Sequence, residues 1–155
     1  MSTGKALALG AISGLRSASG PAFVGRAANR GDMDLGGTAL AFLGSPRLSK
    51  ALTMMQLGEI AGDKLAIAPS RTAFLPLLGR AASGGLAGGA VFVSEHRRAV
   101  KGALLGSSAA VAAAFAGEGL RALTSKLTAL PDPAVALAED AVVLLVGSRA
   151  SHNVR

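Results

Sequence analysis

Eight ionisable side chains interrupt otherwise apolar stretches: Arg16, Glu59, Asp63, Lys64, Arg71, Arg80, Glu139 and Asp140. At the centre of a membrane helix each would cost ~2.5–3.5 kcal/mol on insertion scales, so each needs a partner or water. Glu59 and Asp63 stand four residues apart and share one helix face. Two carboxylates so placed share a proton or bind a cation, unless an Arg neutralises them. Arg16 and Arg71 are the candidate neutralisers, because a guanidinium pairs with a carboxylate bidentately. Glu139 and Asp140 are adjacent, so one turns to the core and the other to a partner or an interface. Two readings stay open: a polar pathway for a small ion or anionic solute, and an internal salt-bridge lattice that fixes a helical bundle.

Other chemistries find little support. There is no Cys, which excludes disulfides, thiol nucleophiles and Cys-based zinc sites. The two His, His96 and His152, fall in a turn and in the tail, away from the carboxylates, so no metal site and no cofactor are expected. No nucleophile–base set stands out, and the chain is not read as an enzyme. Ser83-Gly-Gly-Leu-Ala-Gly-Gly89 lacks the Lys-Ser/Thr ending of a phosphate loop and reads as a close-packing face. The net charge is +7, yet the basic residues lie scattered among apolar stretches without aromatic stacking partners, so no nucleic acid is expected.

The elements that must position these residues are helices of small side chains. Of 155 residues 33 are Ala and 21 Gly, aromatics are 3%, and mean hydropathy is +0.47. Such a chain buries little area per residue in a water-soluble core, whereas closely packed membrane helices use these residues. The longest uncharged runs, 102–117, 81–94 and 35–46, are 16, 14 and 12 residues long, all short of the ~20 that a simple span needs. The spans are therefore expected to be short or broken, with charges facing inward. Arg16 interrupts the first apolar stretch, so no cleavable signal peptide is expected.

The pattern predicts about six helical segments: 5–28 broken near Ser19-Gly20-Pro21, then 35–44, 46–64, 71–93 with Pro76 near its start, 101–123 and 133–148. No β alternation appears. Placing the N-terminus in the cytoplasm puts Lys5, Arg47, Lys50, Arg97, Arg98, Lys101, Arg149 and Arg155 on the inner side, with Arg26, Arg30, Arg121 and Lys126 outside. This is the bias that the positive-inside rule describes.

An ordered series of similar segments suggests an internal repeat. Arg16-Ser-Ala-Ser-Gly-Pro21 matches Arg71-Thr-Ala-Phe-Leu-Pro76, and Gly-Arg-Ala-Ala occurs at both 25–28 and 79–82. Phe42-Leu-Gly44 then parallels Phe115-Ala-Gly117, and Leu57-Gly-Glu59 parallels Leu137-Ala-Glu139. Units of 5–65 and 70–149 would hold three helices each, and an odd number inverts the second copy, with Pro21 and Pro76 as corresponding helix breaks.

At these residues the chain resembles a family of small bacterial membrane proteins grouped as domain of unknown function four-one-two-six. The likeness rests on Gly10-Ala-Ile-Ser-Gly-Leu-Arg-Ser17 with Pro21, Glu59-Ile-Ala-Gly-Asp-Lys64, Pro69-Ser-Arg-Thr72, Arg80, the glycine-rich 81–90 and Glu139-Asp140. The resemblance implies an integral membrane protein whose charged motifs form its site, and implies no activity. The expectation is thus a single all-α membrane domain over 1–155, a helical bundle in the bacterial inner membrane with both termini cytoplasmic. Its site would comprise Arg16, Glu59, Asp63, Lys64, Arg71, Glu139 and Asp140. It would serve transport or permeation, or else act as a non-catalytic subunit of a membrane complex. Its partners would be the lipid bilayer and a second copy or another membrane protein.

Overall fold

The computed structural model describes residues 2–62, 72–127 and 132–152, and the protein is all-helical over them. Six α-helices follow in order: α1 (Ser2–Leu15), α2 (Ser19–Arg30), α3 (Pro46–Gly62), α4 (Phe74–Ser94), α5 (Ala99–Leu127) and α6 (Asp132–Ser151). The break expected in the first segment divides it into two helices. The chain leaves α1 at Arg16 and begins α2 at Ser19, so the break precedes Pro21. Pro21 is the third residue of α2 and Pro76 the third of α4. In a first turn the missing N–H has no intrahelical acceptor to lose, so both prolines are tolerated there and interrupt neither helix. α2 stops at Gly31, which adopts φ 78° and donates its N–H back to Ala28, while Asp32 donates to Ala27. That is a glycine C-cap, and the left-handed φ explains the residue type.

Residues 35–44 are not the expected helix. They form turns that end in a single 3₁₀ turn, Ala41–Gly44. The Asp34 carboxylate accepts the Gly36 N–H at 2.8 Å, and Gly37 sits at φ 68°. A local Asx turn followed by a glycine pair competes successfully with helix formation.

Contacts along the helices fix their directions. Gly10 and Gly14 of α1 pack on Gly106 and Ala110 of α5, so these two run parallel. Gly84 and Gly88 of α4 pack on Gly106 and Gly102, so α4 runs against both. A Cβ at Gly84 would lie 2.5 Å from the Gly106 carbonyl oxygen. Backbone contacts this close are available only to glycine, and they explain how helices with few bulky residues still pack. α2 doubles back beside α1, with Gly20 against Leu9 and Ser13. α3 returns along α2, Gly25 facing Ser49 near one end and Ala18 facing Glu59 at the other. α6 meets Arg16 through Asp140 and then Phe23 through Gly147, so it follows α2. Leu9, Ile12, Phe23, Val24, Val91, Phe92 and Val143 fill the core between these faces.

Successive helices therefore alternate in direction, and the bundle has two ends. One gathers the α1–α2 break with the end of α3, the start of α4 and the middle of α6. The other gathers the starts of α1, α3 and α5 and the ends of α2, α4 and α6. Because α2 doubles back, Arg26 and Arg30 lie at this second end with Lys5, Arg47, Lys50, Arg97, Arg98, Lys101 and Arg149, not opposite them as the six-segment reading had it. At this end the α4–α5 turn is closed by His96 in the left-handed region, φ 55°, with Arg97 donating its N–H to Phe92 at 2.7 Å.

Among the described residues, two helical stretches, Phe74–Ser94 and Ala99–Thr124, are long and apolar enough to cross a membrane. Of the apolar 18-residue window in each, 50% is buried inside the protein in the first and 22% in the second.

Candidate functional site: the charged break between α1 and α2

A helix end leaves four backbone carbonyls or four N–H groups without intrahelical partners. At the α1–α2 break one end of each kind comes together, and charged side chains from three other helices meet them. Arg80 of α4 donates Nη1 to the carbonyls of Gly14 and Leu15 at 2.7 and 2.8 Å, closing the C-terminus of α1 with a cation. Glu59 of α3 closes the N-terminus of α2. Its Oε1 accepts the Ser17 N–H at 3.2 Å and the Ser17 hydroxyl, and its Oε2 accepts the Ala18 N–H at 2.8 Å. Each charge has the sign that the local helix dipole favours.

Arg16 occupies the turn itself and is 2% exposed. Its Nε and Nη2 both donate to Oδ1 of Asp140 on α6, at 2.9 and 2.6 Å, and Nη1 reaches the Glu59 carbonyl at 3.4 Å. The pairing uses one carboxylate oxygen twice. Asp140 Oδ2 is buried and has no hydrogen-bond partner among the described residues. A buried acceptor left unmade costs its full desolvation penalty, about 1–3 kcal/mol. Around this pair Gln56 donates to Ser19 at 3.1 Å, and Arg26 donates to Gln56 at 3.0 Å.

Of the expected site residues, the fold thus joins Arg16, Glu59 and Asp140. It separates Glu139, which turns away to Arg121 of α5 at 3.1 Å. The adjacent acids do part as a helix requires, one inward and one to a partner. An apolar cleft of about 440 Å³ opens beside Glu139, between Leu15, Leu120 and Val142. Of the candidate neutralisers, Arg16 pairs with Asp140 and reaches Glu59 through its backbone carbonyl, while the Glu59 carboxylate serves backbone N–H groups and the Ser17 hydroxyl. Asp63, Lys64 and Arg71 lie outside the described residues.

Sequence reasoning missed Glu118. This α5 residue accepts the Thr72 N–H at 3.2 Å, just ahead of α4. Thr72 holds the place in Arg-Thr-Ala-x-x-Pro that Ser17 holds in Arg-Ser-Ala-x-x-Pro. Each motif opens a helix, and the next helix returns a glutamate to the N–H groups in front of it. In this arrangement Glu118 stands to Thr72 as Glu59 stands to Ser17. The repeated Gly-Glu dipeptide, 42 and 46 residues beyond the hydroxyl residue, was the available signal. Since α2 and α4 both run away from the charged end, the two capped hairpins point the same way.

The family whose pattern matches the chain is described as Domain of unknown function (DUF4126), and the match covers residues 4–152. The chain belongs to this family. The match takes in every residue of the charged break. No curated protein and no solved structure matches the chain.

Proposed function

We propose that this DUF4126 protein is an integral protein of the bacterial inner membrane, and that its charged break conducts or transports a small ion or anionic solute. The observation that carries the reading is the Arg16–Asp140 pair. It is more than nine-tenths buried, sits where two helix ends meet, and keeps one carboxylate oxygen without a donor among the described residues. Ionisable groups inside apolar helices are expensive and mark ion or proton pathways. The exterior supports a bilayer setting. Phe74, Leu75 and Leu78 on α4, Leu104, Phe115 and Leu120 on α5, and Leu144 and Leu145 on α6 are all exposed large apolar side chains. Exposed apolar surface of this extent marks a membrane or protein partner. The basic end would face the cytoplasm, and with it the ends of α1 and α6 that carry the termini.

Transport is tested by reconstituting the protein in liposomes and following proton, sodium and chloride flux with entrapped dyes. Wild type should exceed empty liposomes for at least one ion. Asp140→Asn and Glu59→Gln, checked for insertion and helicity, should lower that flux at least tenfold. Flux indistinguishable from empty liposomes, or equal in wild type and both variants, removes the transport reading.

A second reading has its own observation. Arg80, Glu59 and Arg121–Glu139 each find a partner inside the chain, as a lattice that fixes a bundle would require. A scaffold subunit of a membrane complex then follows, with the apolar exterior meeting a second copy or another membrane protein. It predicts a stoichiometric partner on purification and no flux.

A further inference from the structure

The two ends of the bundle differ in charge in a way the charged break does not use. The end bearing the α4–α5 turn carries Lys5, Arg26, Arg30, Arg47, Lys50, Arg97, Arg98, Lys101 and Arg149 against only Asp32, Asp34 and Glu95. The opposite end sets Arg16, Arg80, Arg121 and Lys126 against Glu59, Glu118, Glu139 and Asp140. The densest part of the basic end is the α4–α5 turn. His96, Arg97, Arg98 and Lys101 are all exposed within six residues. Arg97 is partly committed, its guanidinium lying 4.7 Å from the centre of the Phe92 ring and its Nη1 donating to Ser2. Arg98 and Lys101 have no side-chain hydrogen bond or ion pair among the described residues.

Directly below this turn the surface changes character. Val100 and Leu104 on α5 are 69% and 67% exposed, four residues apart on one face. A positive cluster above an exposed apolar strip, at the mouth of two membrane-length helices, has the polarity profile of one phospholipid molecule. We infer that the α4–α5 turn binds the phosphate of an anionic phospholipid through Arg98 and Lys101, with an acyl chain lying along Val100 and Leu104. The left-handed His96 makes the turn tight, so these charges stay close to the helix ends. This inference rests on the membrane setting proposed above, not on transport. It names the lipid class rather than free phosphate because the apolar strip adjoins the cations.

The test uses the purified full chain in a neutral detergent, followed by far-UV circular dichroism during heating, since no Trp or Tyr is present to report by fluorescence. Phosphatidylglycerol should raise the melting temperature, and phosphatidylcholine and inorganic phosphate should not. Each basic residue near an anionic surface is worth roughly a fivefold change in binding. The lipid concentration for half the shift should therefore rise about 25-fold in R98Q/K101Q, with no change in melting without lipid. High salt should weaken the wild-type effect. Equal shifts with both lipids, an unchanged response in the double variant, or the same shift from a short single-stranded RNA overturns the inference. Alkaline carbonate extraction of host membranes separates the failures. A chain that washes off refutes the membrane setting itself, whereas one that stays but ignores phosphatidylglycerol refutes only the lipid site.

Discussion

Asp140 is the side chain on which the break between α1 and α2 depends most directly. Removing one partner of a buried ion pair strands the other charge, at about 3–5 kcal/mol, whereas replacing both with apolar groups of similar volume is near neutral. Asp140→Ala should therefore destabilise the detergent-solubilised protein by about 3–5 kcal/mol, and the double variant R16M/D140L should recover most of that. Thermal or denaturant unfolding followed by far-UV circular dichroism measures both. A double variant as weak as the single one would assign Asp140 a role outside the pair. Glu59→Ala removes three donor–acceptor contacts at the start of α2 and should cost about 1–2 kcal/mol, the scale of a lost N-cap, by the same measurement. At this scale the sequence revealed which residues were unusual but not whom they met. Arg16, Glu59 and Asp140 stand out because a charge in an apolar stretch is costly wherever the chain goes. Their partners depend on α6 returning 124 residues later to Arg16, which no local spacing encodes.

Among the helices, glycine separates two kinds of position. Gly106 is held between α1 and α4, where an added Cβ would meet Gly84 and Gly88 backbone, whereas Gly119 on the same helix has nothing within 4 Å. Gly106→Ala should cost about 1–3 kcal/mol through overpacking. Gly119→Ala should be neutral or gain about 0.5–1 kcal/mol from helix propensity. Melting of the two variants side by side distinguishes close approach from mere composition; equal effects would mean that the α1–α4–α5 contacts are not tight. Most helices were legible from Ser-Pro or Asp-Pro starts and from the apolar stretches that follow them. The first break was legible near Pro21, but its place at Arg16–Ala18 was not, because nothing in Arg-Ser-Ala by itself stops a helix. What stops it is the pair of outside groups, Arg80 and Glu59, that satisfy the two ends it creates.

For the molecule as a whole, the alternating helices sort charge to one end. The absence of Cys makes this directly testable in membranes. Single cysteines at Lys50 and Arg149 should be labelled by an impermeant thiol reagent from one side, and a cysteine at Lys126 from the other. In right-side-out vesicles only K126C should react before permeabilisation. Labelling of all three from the same side would rule out a bundle that crosses the bilayer along its long axis.

By itself the sequence determined that the chain is helical, that its helices approach closely, and that a few charges had to be sheltered. Those follow from composition and from the cost of a charge in an apolar run, both local properties. Only the tertiary structure decided that the first segment doubles back on itself. That moves Arg26 and Arg30 to the basic end, gives Arg16 to Asp140, and turns Glu59 and Glu118 into matching caps on parallel hairpins. These are long-range matters of which helix ends meet, and the unpaired backbone groups at those ends choose their partners by charge and geometry rather than by position along the chain.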